Sequence, residues 1–231
     1  IVDDMPNGDD HWERERYQRD KIGHFLKRKA QDNDLIILSD CDEVPKASVV
    51  EKITLEHGQL ANLDMDCFQY FYNLKGRNSW NMGKACNYST FKLYNTASDI
   101  RNSGAHLDIE KAGWHFGYIG GLERVVKKIQ SFAHQEFNSD YFLNSNVIKA
   151  YITMGFSIWD RTAQPEIAGD PYWKYVEINE EFPDYLVQNK DKFQIANVEF
   201  SNYDYDAGSL KKMAELLLEV LWLDGEIVEI G

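Results

Sequence analysis

The sequence predicts an α/β fold, because strand-like and helix-like segments alternate along its 231 residues. Its clearest strand, 35–38, is a short apolar run between turn residues, which is typical of a buried parallel strand. Helical patterns precede and follow that run. With 43% hydrophobic and 13% aromatic residues, the chain can bury a core, and these fractions exclude a disordered protein.

The remaining elements follow from periodicity and from flanking residues. Asp10 is the predicted N-cap of the first helix, with Glu13 at capping-box spacing. Helices are predicted over residues 11–30, 47–56, 122–132, 141–154 and 209–223. Strands are predicted over residues 67–74, 88–94, 112–119 and 226–230, from aromatic and alternating apolar residues.

Two of these helices carry further predictions. In the 122–132 helix, Val126 falls on one face with Leu122, Val125 and Ile129, so we expect all four side chains to be buried. The 209–223 helix is apolar over a wide arc and should pack on the core or on a second subunit. We expect residues 1–200 to form one domain, to which residues 201–231 add a helix and a short strand.

Charge and cysteine content narrow the function classes. The formal net charge is −13 and no long Lys/Arg run occurs, which disfavours nucleic-acid binding. The three cysteines form no CxxC pair, so we expect free thiols and no zinc site. The sequence has no signal-peptide pattern and no apolar run of membrane-spanning length, so we expect a cytoplasmic protein.

A pair of carboxylates directly follows the 35–38 strand. Asp40 and Asp42 lie two residues apart and point the same way if the chain stays extended. Ligands of open α/β sheets bind beyond the carboxyl ends of strands. Carboxylate oxygens bind Mg²⁺ or Mn²⁺, and such an ion can neutralise a diphosphate leaving group. An ordinary acidic turn is the alternative interpretation.

Two other segments offer polar groups for a site. His115, in the run Gly113-Trp114-His115, can be a metal ligand or a packed strand histidine. The charged run 13–20 is typical of a solvated helix face, with Glu15 and Arg19 at i,i+4 spacing. One or two of its arginines can reach a phosphate or a sugar, and Arg14 and Arg19 are the candidates.

In this order, the segments resemble glycosyltransferase family 17, the family of β-1,4-mannosyl-glycoprotein 4-β-N-acetylglucosaminyltransferases. The resemblance extends over residues 1 to about 193 and is carried by residues 13–20, 35–45, 113–116 and 128–132. It implies a GT-A-like, Rossmann-related mixed sheet flanked by helices, UDP-N-acetylglucosamine as donor, Mn²⁺ or Mg²⁺, and inversion at the anomeric carbon. The family normally has an earlier strand–helix unit that builds the nucleotide pocket, and we expect that unit to be missing here.

The resemblance also implies roles for individual residues. Asp40, Asp42 and His115 look like the metal ligands. Glu43 would orient the donor sugar or support the aspartate pair. Asp40 would also contact the donor, and Trp114 would form a wall of its site.

The catalytic base is not fixed by any motif. Inversion needs one carboxylate to deprotonate the acceptor hydroxyl, and the candidates are Asp108, Glu110 and Glu123. The expected partners are a nucleotide sugar and a glycan acceptor. Two alternatives remain open: a non-catalytic relative that binds a glycan or a partner protein, and a metal-dependent phosphohydrolase. The second is disfavoured because such enzymes use more carboxylates and histidines.

Overall fold

A computed structural model describes residues 4–8, 10–154, 157, 173–193 and 195, with the backbone alone at 150–154. The helix and strand predicted within residues 201–231 lie outside this described part. The strands are β1 (Leu35–Leu38), β2 (Glu43–Pro45), β3 (Leu60–Gln69), β4 (Leu74–Gly76), β5 (Trp80–Asn87), β6 (Leu107–Gly117) and β7 (Trp173–Tyr175). The α-helices are α1 (His11–Lys29), α2 (Ala47–Val50), α3 (Tyr88–Phe91), α4 (Ala97–Asn102), α5 (Leu122–Ser131), α6 (Asp140–Leu143), α7 (Ser145–Met154) and α8 (Asp184–Gln188).

The chain divides into two compact units. The first comprises the described residues up to Cys67, together with Asn78–Gly117 and Phe132–His134. The second comprises Phe68–Arg77, Tyr118–Ser131 and the described residues from Gln135 onward.

The sheet of the first unit has the strand order β1-β5-β3-β6-β2. Strand β1 pairs antiparallel with β5, so the prediction of a parallel strand at this position is wrong. Its apolar composition has another cause, since the two faces of β1 contact different core clusters. Ile36 and Leu38 belong to one cluster, while Leu35 and Ile37 pack against the other. A strand covered on both faces is apolar throughout, whatever the direction of its neighbour.

Helix α1 confirms the first predicted helix and its cap. The Asp10 carboxylate accepts hydrogen bonds from the backbone amides of Trp12 and Glu13, which α1 would otherwise leave unpaired. Helix α1 packs against α4, where the amide of Ser98 donates to the Asp20 carboxylate at 2.9 Å. The helix predicted over 47–56 is shorter and ends at Val50.

Two segments of the first unit differ from their predictions. The strand predicted over 88–94 is instead the one-turn helix α3, whose Tyr88 and Phe91 are both buried. That burial outweighs the β propensity of aromatic residues. The strand of this region is β5, which was not predicted because its asparagines, glycine and lysine have low β propensity. Residues 43–45, which lie outside every predicted strand, form β2 because they pair with β6.

In the second unit, the end of β3 pairs with β4, and β4 pairs antiparallel with β7. The predicted helix over 122–132 is confirmed as α5, and the segment 141–154 forms α6 and α7. On α5, Val125 and Ile129 are buried, but Leu122 and Val126 are only partly so. The expected burial of Val126 is therefore incomplete, because the buried stripe is centred on Val125.

The predicted fold class is confirmed as mixed α/β, with a sheet flanked by helices in a way compatible with a GT-A-like, Rossmann-related fold. None of the helices in the described part of the chain is long and apolar enough to cross a membrane.

Candidate active site

The pairing of β2 with β6 brings residues 40–43, the acidic segment, next to His115, although about seventy residues separate them in sequence. Glu43 lies opposite His115 in this pairing, and the amide of Phe116 donates to the Asp42 carbonyl at 2.8 Å. Gly113 permits the approach, because a Cβ there would lie 2.1 Å from the carbonyl oxygen of Val44. The glycine of the Gly-Trp-His run therefore serves the strand pairing that positions the histidine.

Asp42 and His115 form a partly exposed pair. The distance from Asp42 Oδ2 to His115 Nε2 is 3.7 Å, and the two side chains are 23% and 12% exposed. On the other side of the ring, His115 Nδ1 lies 3.5 Å from Cys67 Sγ. Burial, and then the charges of Asp42 and Asp66, raise the pKa of Cys67 to about 12, so this thiol stays protonated. The predicted proximity of His115 to the acidic loop is thus present.

Glu43 is buried and accepts four hydrogen bonds. Oε1 accepts from Arg101 and from the Trp80 indole, while Oε2 accepts from Arg101 Nη1 at 2.8 Å and the Asp40 amide at 3.0 Å. Burial opposes ionisation of Glu43, but the hydrogen bonds from Arg101 and Trp80 outweigh it and lower its pKa. Glu43 is therefore an ionised carboxylate without a free lone pair for a substrate proton.

Arg101 is the cation that Glu43 binds, and it also binds Asp40. Its Nη2 donates to Asp40 Oδ2 at 2.9 Å, and its side chain is 5% exposed. Burial opposes the charge of Arg101, but its hydrogen bond to Glu43 outweighs burial and raises the Arg101 pKa. The other Asp40 oxygen lies 3.4 Å from Arg19 Nη2, which also donates to Glu15 at 2.9 Å. Arg19, a predicted donor-binding residue, is thus next to the acidic segment.

Trp80 contacts both Glu43 and His115. Its indole N–H donates to Glu43, and its ring stacks on the His115 imidazole with centroids 4.2 Å apart and planes inclined by 12°. The sequence alone does not point to Trp80, Arg101 and Cys67, since none belongs to a recognisable motif. Arg101 lies in the six-residue helix α4 behind the Thr96 capping box and is buried there, and a buried arginine needs an acidic partner.

The other predicted donor-site residues lie elsewhere. Trp114 is buried next to His115 in sequence, but successive strand residues point to opposite faces. Its ring lies below Lys46, with Nζ 5.6 Å from the ring centroid. Arg14 is exposed on α1.

The predicted base candidates are also spread out. Asp108 accepts a hydrogen bond of 2.7 Å from Asn62, whose carbonyl accepts from the buried Lys84. Asp108 and Glu110 precede His115 by seven and five residues on β6. At about 3.3 Å per residue, these separations reach roughly 23 and 16 Å if the strand is fully extended. Glu123 is exposed in the first turn of α5, in the second unit.

The donor atoms of Asp42 and His115 fit a divalent cation that also binds phosphate oxygens. Carboxylate and imidazole are both ligands of Mn²⁺, and two protein ligands leave positions for a diphosphate. Among the described residues, no group of three or more His, Cys, Asp or Glu side chains is arranged to hold a metal on its own. Asp40 faces a guanidinium at each oxygen, so binding a cation would require it to exchange these partners.

An α/β sheet with carboxylates and a histidine gathered beside strand ends has the architecture of enzymes that bind nucleotide ligands there. The chain matches the family model of glycosyltransferase family 17 over residues 2–196 and belongs to that family. It is therefore a glycosyltransferase, an enzyme that uses a nucleotide-sugar donor and an acceptor. Searches of curated proteins and of solved structures gave no match.

Proposed function

We propose that this glycosyltransferase transfers N-acetylglucosamine from UDP-N-acetylglucosamine to a glycan hydroxyl, with inversion and with the help of Mn²⁺ or Mg²⁺. The observation that carries the cation dependence is the Asp42–His115 pair, with 3.7 Å between Oδ2 and Nε2. The donor sugar and the inversion rest on membership of the family.

Within this proposal, Asp42 and His115 hold the cation and Arg19 lies where it can contact the donor. When bound, the cation supplies positive charge that stabilises the departing diphosphate. Trp80 and Cys67 contact the His115 ring and limit its rotation. Glu43 does not take the acceptor proton, because its carboxylate already accepts from four donors.

The acceptor proton must go to another carboxylate. Asp108 and Glu110 lie on the same strand as His115, and Glu123 lies in the second unit. The choice among the three predicted candidates therefore stays open. Replacing each in turn with its amide should lower kcat by about 100-fold or more only at the base, with little change in donor affinity.

The test of the proposed function is transfer and donor hydrolysis with a panel of nucleotide sugars, with Mn²⁺ and with a chelator. We expect UDP-N-acetylglucosamine to be the preferred donor and chelation to stop turnover. Asp42→Asn should abolish cation-dependent binding of UDP, measured by calorimetry. Asp32→Asn is the matched control, because Asp32 is an exposed aspartate that pairs with Lys92 at the surface. Unchanged UDP affinity in Asp42→Asn with Mn²⁺ present would contradict the cation assignment.

A further inference from the structure

We propose that Arg101 is a positioning residue of the cation site, which orients Asp42 through the 40–43 turn and His115 through Glu43 and Trp80. The proposal rests on the cation site of the proposed function, and it adds Arg101, which donates hydrogen bonds to Glu43 and Asp40. It concerns how the pair is held and not which sugar is transferred.

The first step runs from Arg101 to the turn that carries Asp42. One guanidinium binds both ends of this turn, since Nη2 contacts Asp40 Oδ2 at 2.9 Å and also binds Glu43 Oε1. The turn is closed again by its own groups: the Glu43 amide donates to the Asp40 carbonyl at 3.0 Å, and the Asp40 amide donates to Glu43 Oε2. Asp42 lies between these fixed ends, so the position of its carboxylate depends on how they are held.

The second step runs from Arg101 to His115. Arg101 holds both oxygens of Glu43, and the Glu43 oxygen Oε1 accepts the Trp80 indole N–H. The Trp80 ring lies flat on the imidazole at 4.2 Å between centroids. A stacked ring restricts rotation of the imidazole about χ2 and keeps Nε2 directed at Asp42. The chain of contacts from the guanidinium to the metal-binding nitrogen is therefore continuous.

Arginine suits this place for a specific reason. Its planar fork presents five donors in a fixed arrangement, so it can bind Glu43 through two nitrogens and Asp40 at the same time. A lysine would keep the charge, but its single ammonium nitrogen could not bind both oxygens of Glu43 in a fixed plane. The side chain is 5% exposed, so water has little access to substitute for a lost hydrogen bond.

The experiment uses the full chain with ¹³C-labelled histidine and compares four variants with the wild type. Arg101→Lys keeps the charge without the fork. Arg101→Met with Glu43→Gln removes both charges, so that the fold does not have to bury one alone. Trp80→Leu breaks the second step and leaves the ion pair. Lys92→Met is the matched control, since it removes the cation of a surface pair with Asp32.

Two quantities are measured: the ring-proton shifts of His115 by NMR, and the Mn²⁺ dissociation constant by electron paramagnetic resonance. The chain has six histidines, so His115→Gln identifies the relevant signal. In the wild type, stacking on Trp80 should shift this signal upfield. That shift should be lost in three variants: Arg101→Lys, the double variant and Trp80→Leu. Their Mn²⁺ dissociation constants should rise by about 10- to 100-fold, as is found when residues that hold metal ligands in place are replaced. Lys92→Met should change neither quantity.

A folded double variant with an unchanged His115 signal would overturn the proposal, and so would a shifted signal with unchanged Mn²⁺ affinity. A wild-type chain that binds no Mn²⁺ would overturn both this inference and the cation dependence of the proposed function. By contrast, a chain that binds Mn²⁺ through this network but transfers a different sugar would overturn only the donor assignment. The two failures are therefore distinguishable.

Discussion

Two neighbouring groups of residues in the first unit differ in burial and in the length of the contacts between their side chains. The Glu43–Arg101 group is buried, and the Glu43 carboxylate accepts from four donors. In the Asp42–His115 pair, the distance between Oδ2 and Nε2 is 3.7 Å, and both side chains are partly exposed. The two carboxylates are adjacent in sequence, yet the strand pairing assigns them different surroundings.

The difference shows how one acidic segment can serve both the fold and the chemistry. A carboxylate with all its lone pairs satisfied in a buried place contributes to rigidity and has nothing left for a ligand. A partly exposed carboxylate beside a histidine can instead bind a cation together with the imidazole. Variants of the first group should therefore act directly on stability, and on cation affinity only through the positions of Asp42 and His115. Variants of the second group should act directly on ligand binding.

The largest expected effect is that of Arg101→Met on stability. The substitution leaves the ionised Glu43 buried without its cation, and breaking a buried pair in this way costs about 3–5 kcal/mol. The measurement is the free energy of unfolding in urea, compared with Lys92→Met at the exposed pair with Asp32, where about 0–1 kcal/mol is expected. Equal losses in the two variants would show that burial does not distinguish the two ion pairs.

The next effect separates the two aspartates of the segment. Asp42→Asn should weaken Mn²⁺-dependent UDP binding by about 100-fold or more, because it removes one of two protein ligands from the cation. Asp40→Asn should weaken it less and should instead lower stability by about 1–2 kcal/mol, since its carboxylate binds Arg101 and Arg19. Calorimetry and urea unfolding of both variants measure the contrast. If Asp40→Asn abolishes binding as fully as Asp42→Asn, then Asp40 leaves its arginines to bind the cation, as the resemblance predicted.

The parts of this fold and site that depend on local patterns were predictable from the sequence. The apolar run before Asp40 predicted the strand, and the cap at Asp10 predicted α1, because each depends on a few adjacent residues. The nearness of His115 followed from the general rule that sites gather at strand ends.

The rest depended on contacts between distant residues. Arg101 meets Glu43 across 58 positions, and no local pattern records that pairing. Strand β2 was not predicted, because its pairing with β6 depends on the absence of a side chain at Gly113, opposite Pro45, and no local pattern records that close approach. Residues 88–94 were mistaken for a strand because aromatic residues suit both a strand and a buried helical turn.

The smallest expected effect concerns the thiols, which differ in the same way as the two carboxylates. Cys41 is exposed, whereas Cys67 lies against the His115 ring and Cys86 is buried in the core. Burial raises the pKa of Cys86 from its ordinary value of 9.0 to about 11. At pH 8, a disulfide reagent such as Ellman's reagent should therefore modify Cys41 rapidly in the native protein, and Cys67 and Cys86 only after unfolding.

The raised pKa of Cys86 also fixes the sign of a pH dependence. Above pH 9.0 the unfolded chain releases the thiol proton, while the folded chain keeps it until about pH 11. Ionisation thus favours the unfolded state, and the free energy of unfolding should fall as the pH rises through this window. Cys86→Ala should be less stable than the wild type at pH 8 because it loses a buried side chain, but its stability should decline less steeply between these pH values. An equally steep alkaline decline in Cys86→Ala would show that other groups, such as tyrosines, cause it and that the Cys86 thiol is not held neutral by the fold.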